Sequence, residues 1–173
     1  MHAVRATARH AAAIHAIAQL LEKLRIESMF VGNVARSVWL GSEVSAGSID
    51  VLALMNAPQK NQLAMMASNR GFRVEKSEIE QSEELDLVPL NFEDIRVHVL
   101  LASNALYGRM VAAGRAAQID VREIRVPNVE DLALLLFVAD DRDGVRQLSG
   151  LPEFDRKAFD ERLTSIGLGV IGA

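Results

Sequence analysis

Apolar residues recur along this chain with two different periods, and the change of period divides it into helices and strands. Ile14, Ile17, Leu21 and Leu24 follow the three-to-four-residue spacing of a helix with one apolar face. Short runs of Ile, Val and Leu, and the alternating stretch 95–101, have the spacing of buried strands. We therefore predict strands at residues 29–31, 48–55, 72–75, 85–90, 95–101 and 124–126.

Glycine, proline and asparagine mark the ends of the predicted helices. Gly41 ends the helix that follows the first strand, Pro58 begins the next one, and Gly71 terminates it. We expect Asn128 to cap the helix 129–139, because its side chain can accept a hydrogen bond from a backbone N–H of the first turn. The predicted helices lie at residues 11–26, 33–40, 58–70, 104–113, 129–139, 142–149 and 153–166.

The order of these elements defines the fold class. Helices and strands are mixed up to residue 126, and only helices follow. This order predicts an α/β (α+β) fold in which a mixed β-sheet is flanked by helices and carries a helical C-terminal subdomain. We expect residues 1–173 to form one domain, because no linker separates its parts, which are a core at 1–126, the helical subdomain at 127–166 and a tail at 167–173.

Composition narrows the functional classes. The chain of 173 residues contains no cysteine, which excludes disulfides, thiol catalysis and cysteine-ligated metal sites. Its net charge of -4 argues against non-specific binding to nucleic acid. No run approaches the roughly 18 apolar residues of a membrane-spanning helix. We therefore expect a cytoplasmic protein that does not bind a membrane and does not bind nucleic acid non-specifically.

The most informative segment is the stretch 31–52. A buried strand ends in Gly32 and Asn33 at the start of a helix, and the next strand carries Ser48 and Asp50. In this order, the segment resembles the signature of the nucleotidyltransferase superfamily, particularly its small bacterial members of the abortive-infection and minimal-nucleotidyltransferase kind. Further segments match in the same order at residues 71–72, 97–101 and 126–132.

The resemblance implies a two-metal active site. In that family an Asp-x-Asp pair on one strand and a third acid on a neighbouring strand hold two Mg²⁺ ions, which clamp a nucleoside triphosphate. The glycine turn lets backbone N–H groups approach the phosphates. For this chain the resemblance implies nucleotide binding by Gly32, Asn33 and Ser48. It implies catalysis and metal binding by Asp50 and His98, with Mg²⁺ or Mn²⁺ as the metal if the site is active.

The chain departs from the family pattern at most of its polar positions. Ser48 replaces the first acid, His98 replaces the third, and Leu136 stands where a lysine is common. The remaining carboxylate, Asp50, cannot alone hold two hard cations, which need several oxygen ligands. The leading hypothesis is therefore a nucleotidyltransferase-fold protein that has lost catalysis and acts as a binding or regulatory module.

Two alternatives stay open. In an active nucleotidyltransferase that modifies a small molecule, a protein or RNA, Asp50 is the surviving metal ligand and His98 is a second ligand or a base. Asp86, Glu43 or Asp94 would then supply a further carboxylate. In the other alternative the chain binds a protein partner, or a second copy of itself, without nucleotide. The partners under consideration are thus a nucleoside triphosphate, a protein partner and a homodimer.

Overall fold

The computed structural model describes residues 3–74 and 86–167. Within them the chain forms seven helices and seven strands. The helices are α1 (Ala8–Lys23), α2 (Gly32–Leu40), α3 (Ala57–Ser68), α4 (Ala105–Ala113), α5 (Val129–Val138), α6 (Arg142–Ser149) and α7 (Arg156–Ser165). The strands are β1 (Ser28–Val31), β2 (Ile49–Ala53), β3 (Phe72–Arg73), β4 (Leu87–Phe92), β5 (Ile95–Leu101), β6 (Arg115–Ile119) and β7 (Arg122–Val126).

Five of the strands form a mixed sheet in the order β1-β2-β5-β4-β3. β2 runs parallel to β5, whereas the other three neighbouring pairs are antiparallel. Helices pack on this sheet, and three more helices follow the last strand in the described part of the chain. The predicted mixed α/β fold class is therefore confirmed.

The two faces of the sheet have different surroundings. Ile49, Val51 and Val97 alternate along β2 and β5 toward one face and are fully buried, because α1 packs on both strands there. Asp50 and His98 are direct neighbours in the parallel register of these strands and lie on the opposite face. That face is only partly covered, so polar side chains on it reach solvent.

Helix α5 is hydrophobic nearly all round, which predicts burial on several sides. The structure confirms this: Leu132 is fully buried, Leu134 is buried, and α5 packs against α2, α6 and α7. At its start, Asp131 accepts a hydrogen bond from Arg162 of α7 at 2.5 Å. The C-terminal end of α5 points toward the partly covered face of the sheet, where the residues described below form a cleft.

The hairpin β6–β7 contains the main element that the sequence pattern missed. Only 124–126 was predicted as a strand, yet Arg115–Ile119 pairs antiparallel with Arg122–Val126. In β6 only Ala117 and Ile119 are buried. An alanine contributes little to an apolar alternation, so the strand has no clear signature in the sequence.

Two predicted boundaries differ for local reasons. The first helix covers Ala8–Lys23 rather than 11–26, because the backbone turns at Arg25, whose φ is 54°. The strand predicted at 48–55 ends at Ala53. Asn56 then caps α3 through a capping box with Gln59, which sets the start of that helix.

The predicted side-chain cap at Asn128 is wrong. Asn128 does precede α5, but its side chain makes no capping hydrogen bond. Its Oδ1 instead accepts a hydrogen bond from Nε of Arg115 at 2.7 Å. The same guanidinium lies 5.9 Å from the centre of the Trp39 ring, and Trp39 Nε1 donates to the Pro127 carbonyl. The turn before α5 is thus fixed by contacts with β6 and α2.

Some predictions fall partly outside the described residues. The strands predicted at 72–75 and 85–90 correspond to β3 and β4, but residues 75–85 lie outside the description, as do 168–173 of the proposed tail. The division of one domain into 1–126 and 127–166 stays a prediction. None of the described helices combines the length and apolar character that crossing a membrane requires.

Candidate functional site

The glycine turn at the end of β1 brings the backbone against a carboxylate. Gly32 has a φ of +56°, a conformation that strongly favours glycine. A Cβ built at Gly32 would lie 2.6 Å from Oδ2 of Asp50, so any side chain here would force the Asp50 carboxylate to move. Asp50 therefore sits directly against the start of α2, where the positive end of the helix dipole stabilises a negative charge.

Three side chains meet at the centre of the site. Nδ1 of His98 lies 2.8 Å from Oδ1 of Asp50, because the two residues are adjacent in the parallel β2–β5 register. The Ser48 hydroxyl donates toward both carboxylate oxygens of Asp50, at 3.1 and 3.2 Å. The Asp50 and His98 side chains are 21% and 30% exposed, so the group is half-buried but open to solvent on one side. Ser48 and His98, which stand where the resemblance implies the first and third acids, thus both hydrogen-bond Asp50.

Asn33, the other residue of the glycine turn, is engaged in local packing. Its Oδ1 accepts a hydrogen bond from Arg36 at 2.9 Å, and Arg36 in turn pairs with Asp141 at 3.1 Å. Its Nδ2 would be 2.2 Å from a Cβ at Gly47, whose φ is +81°. The side chain of Asn33 therefore packs on the loop that leads into β2. Contact between Asn33 and a nucleotide stays a prediction, as do the other site assignments.

A buried histidine also contacts that loop, and sequence reasoning missed it. His10 is 8% exposed, and its Nε2 lies 3.3 Å from the Gly47 carbonyl oxygen. Because a carbonyl only accepts, Nε2 carries the proton, which leaves Nδ1 to accept from the Thr7 hydroxyl at 2.9 Å. In the sequence His10 lies five residues before His15, which is not the spacing of a zinc-binding pair on a helix, and nothing there indicates a contact 37 residues away.

The described residues do not fit a two-metal cage. Asp50 and His98 supply one carboxylate and one imidazole, and no group of three His, Asp or Glu among residues 3–74 and 86–167 could hold a metal ion. Asp86 borders the same cleft without joining such a group. Of the other candidate carboxylates, Asp94 pairs with Arg9 and Glu43 does not border the cleft.

A cleft of 510 Å³ opens beside Asp50. Its walls come from the partly covered face of the sheet, from α4 and from the C-terminal end of α5. Leu136 of α5 borders it, so an apolar side chain stands where the resemblance implies a lysine. Ser103 and Tyr107 also border it, and sequence reasoning missed both, since a single hydroxyl near a helix start carries no signal. The residues that line the cleft are mostly Leu and Val.

Comparisons with known proteins identify the fold. No protein-family model matches the chain, and no curated protein matches its sequence. The solution structure of the antibiotic-resistance factor ANT(2'')-Ia is similar, with a TM-score of 0.60 and 16% identity over 91% of this chain and 95% of that one. The lincosamide antibiotic adenylyltransferase LnuA, bound to lincomycin, has a TM-score of 0.57 and 14% identity over 86% and 99% of the two chains.

A second structure of ANT(2'')-Ia, in complex with adenylyl-2''-tobramycin, has a TM-score of 0.51 and 18% identity. It covers 91% of this chain and 90% of that chain. At these identities the likeness concerns the fold rather than the chemistry of the site. The fold that the resemblance predicts is confirmed.

Proposed function

We propose that this chain, which has the nucleotidyltransferase fold, binds a small molecule in its cleft and does not transfer nucleotides. The observation that carries the proposal is the state of Asp50. Its oxygens accept hydrogen bonds from Ser48 and His98, the two residues that stand where the family has its other acids. A metal ion would have to compete with these hydrogen bonds for the carboxylate oxygens of Asp50.

The number of ligands that a nucleotide-bound metal needs also argues against nucleotide transfer. A nucleoside triphosphate is held in this family by Mg²⁺ ions, and each ion needs several oxygen ligands with charge compensation. In the described part of the chain, the pair of Asp50 and His98 gains no third ligand of the required type. Imidazole is also a weaker partner for Mg²⁺ than a carboxylate is.

The charge of the cleft also disfavours a triphosphate. Its lining within the described residues contains Asp50 and Asp86 but no Lys, Arg or His. A triphosphate without bound metal would meet two carboxylates and mostly apolar walls. Leu136 removes the cation that the resemblance implies on the opposite side. The cleft therefore favours a ligand that is less anionic than a nucleotide.

A thermal-shift series tests the proposal. Wild-type protein is heated with each of the four nucleoside triphosphates, with Mg²⁺, with Mn²⁺ and without metal. A ligand at 100 times its Kd would stabilise the fold by about 2.7 kcal/mol, which is readily seen as a rise in Tm. We expect no rise beyond that of a salt control at equal ionic strength. A metal-dependent rise that disappears in Asp50→Ala but persists in Glu123→Ala, an exposed acid outside the cleft, would overturn the proposal.

A working transferase is the second candidate, because one observation favours it. Asp86 borders the same cleft as Asp50, so a second carboxylate is available nearby. If Asp86 completes a metal site, the metal-dependent rise in Tm occurs in wild type and is lost in Asp86→Asn as well as in Asp50→Ala. A cleft filled by Trp39, Met or Arg side chains would favour a purely protein-binding module, but among the described residues no such side chain borders it.

A further inference from the structure

The two acidic residues of the cleft, Asp50 and Asp86, differ in their hydrogen bonding. Asp50 accepts hydrogen bonds from Ser48 and His98. Asp86 also borders the cleft; this residue is exposed, and its side chain makes no hydrogen bond or ion pair with any residue that the structure describes. Within residues 3–74 and 86–167, the cleft therefore contains a negative charge that has no partner and no basic side chain that could neutralise it.

The rest of the lining is suited to an apolar body. The volume of 510 Å³ lies within the range of about 300–1,000 Å³ that is usual for small-molecule pockets. Such pockets combine apolar walls with a few polar groups that orient the ligand. The leucines that border this cleft are Leu52, Leu87, Leu100, Leu101, Leu135 and Leu136.

Tyr107 adds a second feature that attracts cations. It lies in α4 and borders the cleft, and its phenol group has no hydrogen-bond partner among residues 3–74 and 86–167. The face of an aromatic ring attracts an ammonium group within about 6 Å of its centre. A carboxylate and an aromatic ring in one apolar cleft are complementary to an amine that carries an apolar body.

We propose that the ligand of this cleft is a compact, apolar amine, with its body against the leucines and its ammonium group toward Asp86 and Tyr107. A neutral apolar molecule would leave the Asp86 charge without a partner, and an anion would be repelled by it. The inference rests on the proposed function, because it assigns the same cleft to a cation instead of a metal-bound triphosphate.

A matched probe series tests the charge preference. 3-Phenylpropylamine, 3-phenylpropan-1-ol and 3-phenylpropanoate have nearly the same shape and differ in charge. Each is titrated into ¹⁵N-labelled full-length protein, and Kd is obtained from the shifts of backbone amides that border the cleft. We expect the amine to bind about tenfold more tightly than the alcohol, because charge-assisted hydrogen bonds are the stronger ones. We expect the carboxylate to bind most weakly.

Two variants and a control locate the effect. Asp86→Asn lowers the affinity for the amine to that for the alcohol. Ala139→Trp places a large ring at an exposed position on the rim of the cleft, and it weakens binding of the amine and the alcohol alike. Glu123→Gln removes an exposed acid outside the cleft and leaves the amine's Kd within about twofold, as expected for a screened surface charge.

The outcomes separate this inference from the proposed function. Equal binding of amine and alcohol, or unchanged amine binding in Asp86→Asn, overturns the cationic ligand even if no nucleotide binds. Shifts that lie away from the cleft, or that survive Ala139→Trp, overturn the assignment of the site. Metal-dependent binding of a nucleoside triphosphate overturns the proposed function itself, whatever the amine does.

Discussion

Single residues set the shape of this site where backbone and side chain approach closely. A Cβ at Gly32 would lie 2.6 Å from the Asp50 carboxylate, whereas a Cβ at Gly41 would have nothing within 4 Å. Both glycines have positive φ, +56° and +65°. The two positions therefore separate backbone strain from a steric clash with the candidate site.

We predict that Gly32→Ala destabilises the protein more than Gly41→Ala does. Backbone strain alone gives about 1 kcal/mol at Gly41, and the added clash raises the loss at Gly32 to about 3 kcal/mol. Urea unfolding of both variants measures the difference. In an Asp50→Ala background the extra loss at Gly32 is expected to disappear, because the carboxylate that causes the clash is gone. Equal losses for both glycines in the wild-type background would contradict the close approach.

The orientation of a single site residue can be predicted from the sequence, whereas its contacts with other segments cannot. Alternation along β5 places His98 on the face opposite Val97 and Val99, and the structure confirms it. Its contact with Asp50 depends on the register between two strands, which no pattern within either strand determines. The contact of His10 with Gly47 could not be predicted from the sequence either, because it joins segments that are distant along the chain.

Among the elements, α5 is held to α7 by a largely buried ion pair. The side chain of Asp131 is 9% exposed and that of Arg162 is 27% exposed. Breaking a buried pair leaves an unpaired charge in a poorly solvated place, which is destabilising. The C-terminal end of α5 lines the cleft, so this pair holds the opposite end of a helix that forms part of the cleft wall.

We predict that Asp131→Asn lowers the free energy of unfolding by about 2 kcal/mol, less than for a fully buried pair because Arg162 is partly exposed. Glu161→Gln is the matched control on α7. Its pair with Lys157 is mostly exposed and contributes about 0.5 kcal/mol or less. Chemical denaturation of both variants checks the prediction. Similar losses for the two would mean that the Asp131 pair does not hold α7 in place.

Elements with a strong apolar period could be predicted, and those without one could not. The helix 142–149 matches α6 at both ends, and 95–101 matches β5. In contrast, β6 has a single large buried residue, Ile119, and its pairing with β7 comes from the tertiary structure. The local sequence predicts that Asn128 caps α5, but its side chain instead accepts a hydrogen bond from Arg115 of β6.

At the scale of the whole molecule, the fold is similar to that of ANT(2'')-Ia and LnuA, whereas Ser48 and His98 stand where the resemblance in the sequence implies acids. The resemblance in the sequence rested on glycines and apolar strands, which specify the scaffold. The site depends instead on a few polar side chains, such as Ser48, Asp50 and His98, and these can change while the core is kept. The scaffold is therefore predictable from this sequence to a greater extent than its chemistry.

The central claim is that the site does not bind a divalent metal, and calorimetric titration with Mn²⁺ tests it most directly. The double variant Ser48→Asp, His98→Asp serves as the positive control, because it places three carboxylates where the resemblance implies them. We predict binding heat for the double variant and none for the wild-type protein, since one engaged carboxylate supplies too few oxygen ligands. Wild-type binding of Mn²⁺ that is lost in Asp50→Ala would contradict the account.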